Sequence, residues 1–176
     1  MNAYDFVSAT PQSLDELETE VIVLPFFSDE RPLRGAAGLL DWRLCGALSR
    51  KLMAGYLDGT FGEKALLTTA PKLKSRWLLL VGLGESAAFD LLVAQRACAL
   101  IIKALTEAKL SHAALVLPGR SLGLLPALDA MQIWLGAISG DDGVLEELCI
   151  IERAEEHRAL DSLFDGLRRQ SESPLD

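Results

Sequence analysis

Apolar runs alternate with amphipathic stretches along the chain, a pattern that predicts β-strands and α-helices in turn. The strand-like segments are 4–10, 21–27, 63–70, 76–83, 112–119 and 147–153. The helix-like segments are 36–54, 89–109, 124–138 and 155–170, with a shorter one at 13–20. Strands and helices in this order predict an α/β fold, a three-layer α/β/α sandwich around a mixed, mostly parallel sheet.

The first helices and the hairpin carry local signals of their own. Ser13 and Glu16 have the spacing of a capping box, which predicts that the helix 13–20 begins at Ser13. Residues 36–54 place leucines four apart on one side of a single helix that ends at Gly55. The strands 63–70 and 76–83 are joined by PKLKS and are predicted to pair as a hairpin.

Two later helices have defined faces or ends. The helix 89–109 is predicted to turn a stripe of five residues inward: Leu91, Cys98, Ile101, Ile102 and Leu105. Pro126 falls in the first turn predicted for 124–138, where a proline is tolerated. The last helix has acidic residues in its first turn and arginines near its end, as the helix dipole favours.

Composition limits the classes of partner. The chain has 176 residues, half of them apolar, which is enough for one domain with a substantial core. Its net charge is −8 and its basic residues are scattered, without interleaved aromatic residues, so we expect no nucleic-acid partner. No apolar run approaches the roughly 18 residues of a membrane span, so we expect no membrane partner.

Thiols and histidines give no sign of a cofactor. The opening MNAYDFVSAT lacks the pattern of a signal peptide, and the odd number of cysteines, Cys45, Cys98 and Cys149, fits reduced core thiols in a cytoplasmic protein. His112 and His157 lie far apart and far from any cysteine, and are expected at a strand edge or on the surface. We therefore expect neither a metal nor any other cofactor.

No catalytic set of residues is visible either. The chain contains no G-x-S-x-G elbow, and Ser121 has no identifiable base. The acidic stretch SGDDG (139–143) is typical of a turn and is too short for a calcium loop.

Three glycine loops are the remaining candidates for a site. They are RGAAG (34–38), VGLGES (81–86) and PGRSLG (118–123). Each follows a strand pattern and precedes a helix pattern, where backbone amides can meet an anion. VGLGES is interpreted as a tight turn, whereas the other two could flank one anion pocket. The candidate ligand-binding residues are Arg34, Gly35, Ala36, Ala37, Gly38, Gly119, Arg120, Ser121 and Gly123.

The segment LDGTFGEKALLTTAPKLKSRWLLLVGLGE (57–85), with ALSRKLMAGY before it, resembles the amino-terminal domain of the leucyl aminopeptidase (cytosol aminopeptidase) family. In that family a helix, a glycine–phenylalanine turn, a hairpin and a VGLG strand end follow one another in the same order. VGLG followed by the helix QRACALIIKAL is the most specific part. The resemblance covers roughly residues 15–118.

That domain is similar in fold to the macro domain, an ADP-ribose-binding α/β module. AALVLPGRSLGLLPALDAM resembles the macro pattern of strand, glycine loop and helix, and LEELCIIERAEEHRALDSLFDGL resembles its last strand and helix. By the same likeness RGAAGLLDWRLCGAL takes the place of the phosphate loop. The resemblance implies one macro-like domain over 1–170, and the last residues, 171–176, are expected to form a frayed tail.

Two departures shape the expected function. The family's metal-binding stretch N-T-D-A-E-G-R does not occur in this sequence. The only asparagine is Asn2, so the asparagine that holds the distal ribose in macro domains has no counterpart. The resemblance thus implies a non-catalytic domain that associates with itself, with a full-length aminopeptidase or with another protein. The alternative is a binding module for a phosphorylated or nucleotide-like ligand of the ADP-ribose type.

Overall fold

A computed structural model describes residues 3–139 and 145–172 of the chain. The strands are β1 (Ala3–Ser8), β2 (Val21–Phe26), β3 (Lys64–Thr68), β4 (Trp77–Gly82), β5 (His112–Leu115) and β6 (Glu147–Glu152). The helices are α1 (Pro11–Glu16), α2 (Gly35–Arg43), α3 (Ala47–Met53), α4 (Leu91–Ala108), α5 (Ala127–Ile138) and α6 (Ala154–Glu172), with a 3₁₀ turn at Ser86–Ala88. Most of the SGDDG stretch and the tail beyond Glu172 lie outside the described residues.

The six strands form one sheet in the order β1-β6-β5-β2-β4-β3. All neighbouring pairs are parallel except β3 with β4, which form the predicted antiparallel hairpin. The expected mixed, mostly parallel sheet is therefore confirmed. Since parallel strands need crossover connections, the helices lie on both faces of the sheet.

The central strand β2 shows why the core has two halves. All six of its residues are buried, and alternate side chains enter opposite layers. Val21 and Val23 pack with the residues beneath α4, α5 and α6, whereas Ile22 and Leu24 pack with those beneath α1, α2 and α3. A continuous apolar run is what a strand covered on both faces requires.

The predicted helix 36–54 is in fact two helices, and the single-helix prediction is wrong. Cys45 and Gly46 have positive φ values of 58° and 74°, which end α2 and turn the chain into α3. The Asp41 carboxylate accepts hydrogen bonds from the backbone amides of Leu48 (2.8 Å) and Ser49 (3.1 Å). These bonds satisfy amides at the start of α3 and stabilise the corner.

The start of the first helix also differs from the prediction. Helix α1 begins at Pro11, and Thr10 caps it by accepting a 3.2 Å hydrogen bond from the amide of Ser13. The predicted capping box at Ser13 and Glu16 is therefore wrong, because the cap lies three residues earlier. Proline at the first helical position fits this earlier start.

Two later helices begin slightly after their predicted starts. Asp90 caps α4 through the amide of Val93 (2.8 Å), and Leu91 at the first position is 59% exposed rather than inward. The other four residues of the predicted stripe are buried. Pro126 immediately precedes α5 as its cap residue instead of lying in its first turn.

Candidate functional site

A cavity of about 220 Å³ lies where β1, β5 and β6 end, at the edge of a parallel sheet where α/β proteins bind ligands. It is lined by Ala9, Gly35, Ala36, Val116, Arg120, Ser121, Gly123, Ile151, Glu152 and Arg153. RGAAG and PGRSLG thus contribute to one cavity, although it is smaller than the range of about 300–1,000 Å³ typical of small-molecule sites.

A carboxylate of the chain itself holds the two loops together. Glu30 is buried, and its Oε1 accepts a 3.0 Å hydrogen bond from the backbone amide of Arg34. Its Oε2 accepts a 2.9 Å bond from the Ser121 hydroxyl and a longer one from the amide of Phe27. The amide before α2 and the serine hydroxyl, which could have met a bound anion, are already bonded to an anion of the protein.

The predicted cation of the cavity is likewise paired. The Arg120 side chain is 5% exposed and donates to both carboxylate oxygens of Glu152, at 2.5 and 3.1 Å, to Glu156 at 3.3 Å and to the carbonyl of Leu125 at 2.6 Å. The hydrogen bond with Glu152 raises the pKa of the Arg120 guanidinium. Because Glu152 is equally buried, this is an interior ion pair and not an exposed positive charge.

The other four candidate residues lie outside the lining of the cavity. Arg34 is exposed, and Ala37 is buried in the core beneath α2. Gly38 packs against the preceding loop, because a Cβ there would lie 2.6 Å from the carbonyl oxygen of Leu33. Gly119 has a φ of +85°, and a Cβ would lie 2.6 Å from a ring carbon of Phe89. Close packing therefore explains why positions 38 and 119 are glycines, without a role in binding.

The third glycine loop has the geometry of a tight turn, as interpreted from the sequence. A Cβ on Gly82 would collide with the backbone of Gly59 and Thr60. The Asp29 carboxylate accepts hydrogen bonds from the amide (2.9 Å) and hydroxyl (2.5 Å) of Ser86. These bonds hold the end of VGLGES, where the 3₁₀ turn Ser86–Ala88 begins. These bonds lower the pKa of Asp29.

The thiols and histidines have different surroundings. Burial raises the pKa of both Cys98 and Cys149 to about 12, whereas a hydrogen bond with Lys72 (2.9 Å) lowers the pKa of the exposed Cys45. His112 lies at the opposite edge of the sheet, and its ring is 3.8 Å from carboxylate oxygens of Glu20 and Glu146. Within 3–139 and 145–172, no group of three or more potential ligands is arranged to hold a metal ion.

Glu30 and Glu152 are not among the site residues predicted from the sequence. A glutamate at the end of an apolar strand pattern, as in ELCIIER, signals a buried carboxylate that needs a partner. Glu30 carries no such signal, because its partners Arg34 and Ser121 come together only in the folded chain.

The sheet order, the helix layers and the two glycine loops at one edge define a macro-domain-like α/β protein. The Trypanosoma brucei macrodomain in complex with ADP-ribose is similar in fold, with a TM-score of 0.70 at 16% identity over 90% of this chain and 68% of that one. A tomato leucine aminopeptidase mutant is similar with a TM-score of 0.63 at 18% identity, over 92% of this chain and 35% of that one.

Sequence comparison places the chain within a particular family. The family model described as the cytosol aminopeptidase family, N-terminal domain, matches residues 23–141, so the chain belongs to this family. A probable cytosol aminopeptidase of Haemophilus ducreyi is 37% identical over 78 residues, and one of Sulfurihydrogenibium sp. is 27% identical over 105 residues. These matches cover 44% and 60% of this chain but only 15% and 21% of the two relatives.

Among the described residues, no helix is both long and apolar enough to cross a membrane.

Proposed function

We propose that this chain is a non-catalytic domain that works by protein association in the cytosol. Its partner would be a second copy of itself, a full-length aminopeptidase or another protein. Family membership supports the choice of domain, and the description of the relatives as cytosol aminopeptidases supports the cytosolic setting.

The observation that carries this proposal is the exposure of large apolar side chains. Eight of them are exposed among the described residues: Trp42, Met53, Tyr56, Leu66, Leu91, Leu92, Leu124 and Leu128. Single exposed apolar residues are ordinary, but clustered ones mark interaction surfaces. Four of the eight lie in the first turn of α4, in the first turn of α5 or in the loop before α5, and these two helices pack against each other.

Light scattering of the purified chain tests the proposal. We expect a species heavier than the 19.1 kDa monomer, either for the chain alone or after mixing with a cytosol aminopeptidase. A strict monomer that also fails to bind the aminopeptidase or any other protein in a pulldown would overturn it. An aminopeptidase assay with added manganese or zinc tests the non-catalytic part, and we expect no turnover.

A second candidate function is binding of a phosphorylated or nucleotide-like ligand in the cavity where β1, β5 and β6 end, here called the carboxyl-edge cavity. It is favoured by the convergence of Gly35, Ser121 and Gly123 on that cavity and by the similar fold of a macrodomain described in complex with ADP-ribose. The ligand would have to displace the carboxylate of Glu30 from its donors. Calorimetry with ADP-ribose separates the two candidates: we expect no heat of binding, and a clear saturable signal would favour the second.

A further inference from the structure

Four exposed leucines lie in the first turns of α4 and α5 and in the loop before α5, and are here called the leucine surface: Leu91, Leu92, Leu124 and Leu128. Leu91 and Leu92 are about 60% exposed in the first turn of α4. Leu128 lies in the first turn of α5, and Leu124 in the loop before it. The two helices pack side by side, and both follow strands that are parallel to β2, so both begin at the same edge of the sheet. The four exposed leucines therefore lie at the same end of the helix pair.

A groove of about 680 Å³ continues this surface between the two helices. Its lining is Leu91, Gln95, Ala99, Asp129, Gln132, Ile133, Gly136 and Ala137. The lining residues include three of the smallest side chains, and a Cβ added at Gly136 would meet no other atom within 4 Å. Open space beside protruding leucines is the shape that receives another apolar surface.

We propose that this face is a two-fold interface at which two copies of the chain meet, the leucines of each copy entering the groove of the other. The inference rests on the proposed function of association and adds the surface and the partner. A two-fold interface requires one patch that is complementary to itself, and protruding leucines next to a groove meet that requirement.

Charge supports a second copy as the occupant. The chain carries a net charge of −8, so two copies repel each other over most of their surfaces. Among the described residues that line the groove, Asp129 is the only charged one. Interface centres are depleted in charged residues, and a nearly uncharged face lets two acidic copies approach with little electrostatic cost.

The exposed apolar area of this face is comparable to the apolar area that a standard protein interface buries. From their exposed fractions, the four leucines leave on the order of 300 Å² of apolar surface in contact with water, the size of a functional patch. A standard interface buries about 800 Å² per partner, rather more than half of it apolar. The leucines and the groove between α4 and α5 together supply most of that apolar share.

The test measures self-association of the full chain by sedimentation velocity at up to about 100 μM. We expect a concentration-dependent dimer that Gly136→Glu and Leu92→Gln each weaken by at least about tenfold, through a buried charge and the loss of an apolar contact. Gly136→Ala, which adds only a methyl group in open space, should retain the dimer. Leu66→Gln, which alters an exposed leucine on strand β3, is the matched control and should not change it.

Urea unfolding of each variant shows that the fold is intact, so that a lost dimer reports on the interface. A wild-type chain that is monomeric throughout would overturn the two-fold interface. If that monomer still bound a cytosol aminopeptidase, the proposed function would stand without it. A dimer unchanged by Gly136→Glu and Leu92→Gln, or weakened by Leu66→Gln alone, would overturn this surface while leaving self-association in place.

Discussion

The carboxyl-edge cavity and the groove between α4 and α5 differ in what their walls still offer. In the cavity, Glu30 accepts from the Arg34 amide and the Ser121 hydroxyl, and Glu152 pairs with Arg120. In the groove, five of the eight lining residues are small or apolar, the other three are Gln95, Asp129 and Gln132, and the adjoining leucines face water. The cavity has the position of a ligand site, but its strongest donors are occupied. The groove lacks catalytic chemistry, but its apolar surface is uncovered.

The position of a loop in a fold and its capacity to bind a ligand are separate properties. Two glycine loops meet at the expected edge of the sheet, yet internal carboxylates take the bonds that a phosphate would need. A ligand must then replace those bonds at a net cost, because a buried donor left without a partner costs free energy. Apolar surface on the groove carries no such penalty when it is buried.

The largest expected effect comes from breaking the interior ion pair. Glu152→Gln leaves Arg120 buried with only partial compensation from Glu156, and we expect a loss of about 3 kcal/mol in the free energy of unfolding. Urea denaturation measures it. Glu155→Gln, at a glutamate that is largely exposed, is the control and should change stability by less than about 0.5 kcal/mol. Equal effects of the two variants would show that the pair is not an interior one.

Removing the internal anion between the loops should have the next largest effect. Glu30→Gln weakens the bonds to the Arg34 amide and the Ser121 hydroxyl, and we expect a loss of about 2 kcal/mol. Inorganic phosphate should then raise the melting temperature of the variant more than that of the wild type. A variant that is as insensitive to phosphate as the wild type would contradict the view that Glu30 occupies an anion position.

The free energy of unfolding should depend on pH through the buried side of α4, opposite the exposed leucines. Cys98 lies on the buried side, and burial raises its pKa from 9.0 to about 12, so the unfolded chain releases this proton first as the pH rises. The contribution of the protonated Cys98 thiol to the free energy of unfolding is fully present below pH 9 and is lost between pH 9 and about 12. At pH 10 the loss is about 1 kcal/mol. Urea midpoints should fall from pH 8 to pH 10 more steeply for the wild type than for Cys98→Ala, and parallel curves would contradict this.

The smallest effect is expected at the groove itself. Gly136 lies inside α5, where alanine is favoured over glycine by about 0.5–1 kcal/mol, and its added methyl group meets open space. Gly136→Ala should therefore raise the free energy of unfolding by that amount. Thermal unfolding at a concentration low enough to keep the chain monomeric measures it. A destabilised variant would show that the groove is closed in the free chain.

The sequence predicted the architecture well because apolar runs such as 21–27 and 76–83 require burial on both faces. It failed at Cys45, because a left-handed conformation at a residue other than glycine has no pattern of its own. It also assigned Leu91 to the core, since spacing defines a stripe but not where the helix begins.

The candidate site was predicted less completely. The convergence of Gly35, Ala36, Arg120, Ser121 and Gly123 follows from the position of loops at the ends of parallel strands. That Arg120 is neutralised by Glu152 does not follow, because the two residues are far apart in the sequence and meet only through the pairing of β5 with β6.

The contact between Gly119 and Phe89 joins the two regions. Gly119 belongs to the loop of the cavity, and Phe89 stands two residues before α4 begins, with its ring against the place that a Cβ of residue 119 would fill. A substitution at Gly119 therefore pushes on the start of the helix that carries Leu91 and Leu92. The cavity loop and the segment that leads into α4 therefore share one packing contact, and only a residue without a side chain at position 119 leaves that contact undisturbed.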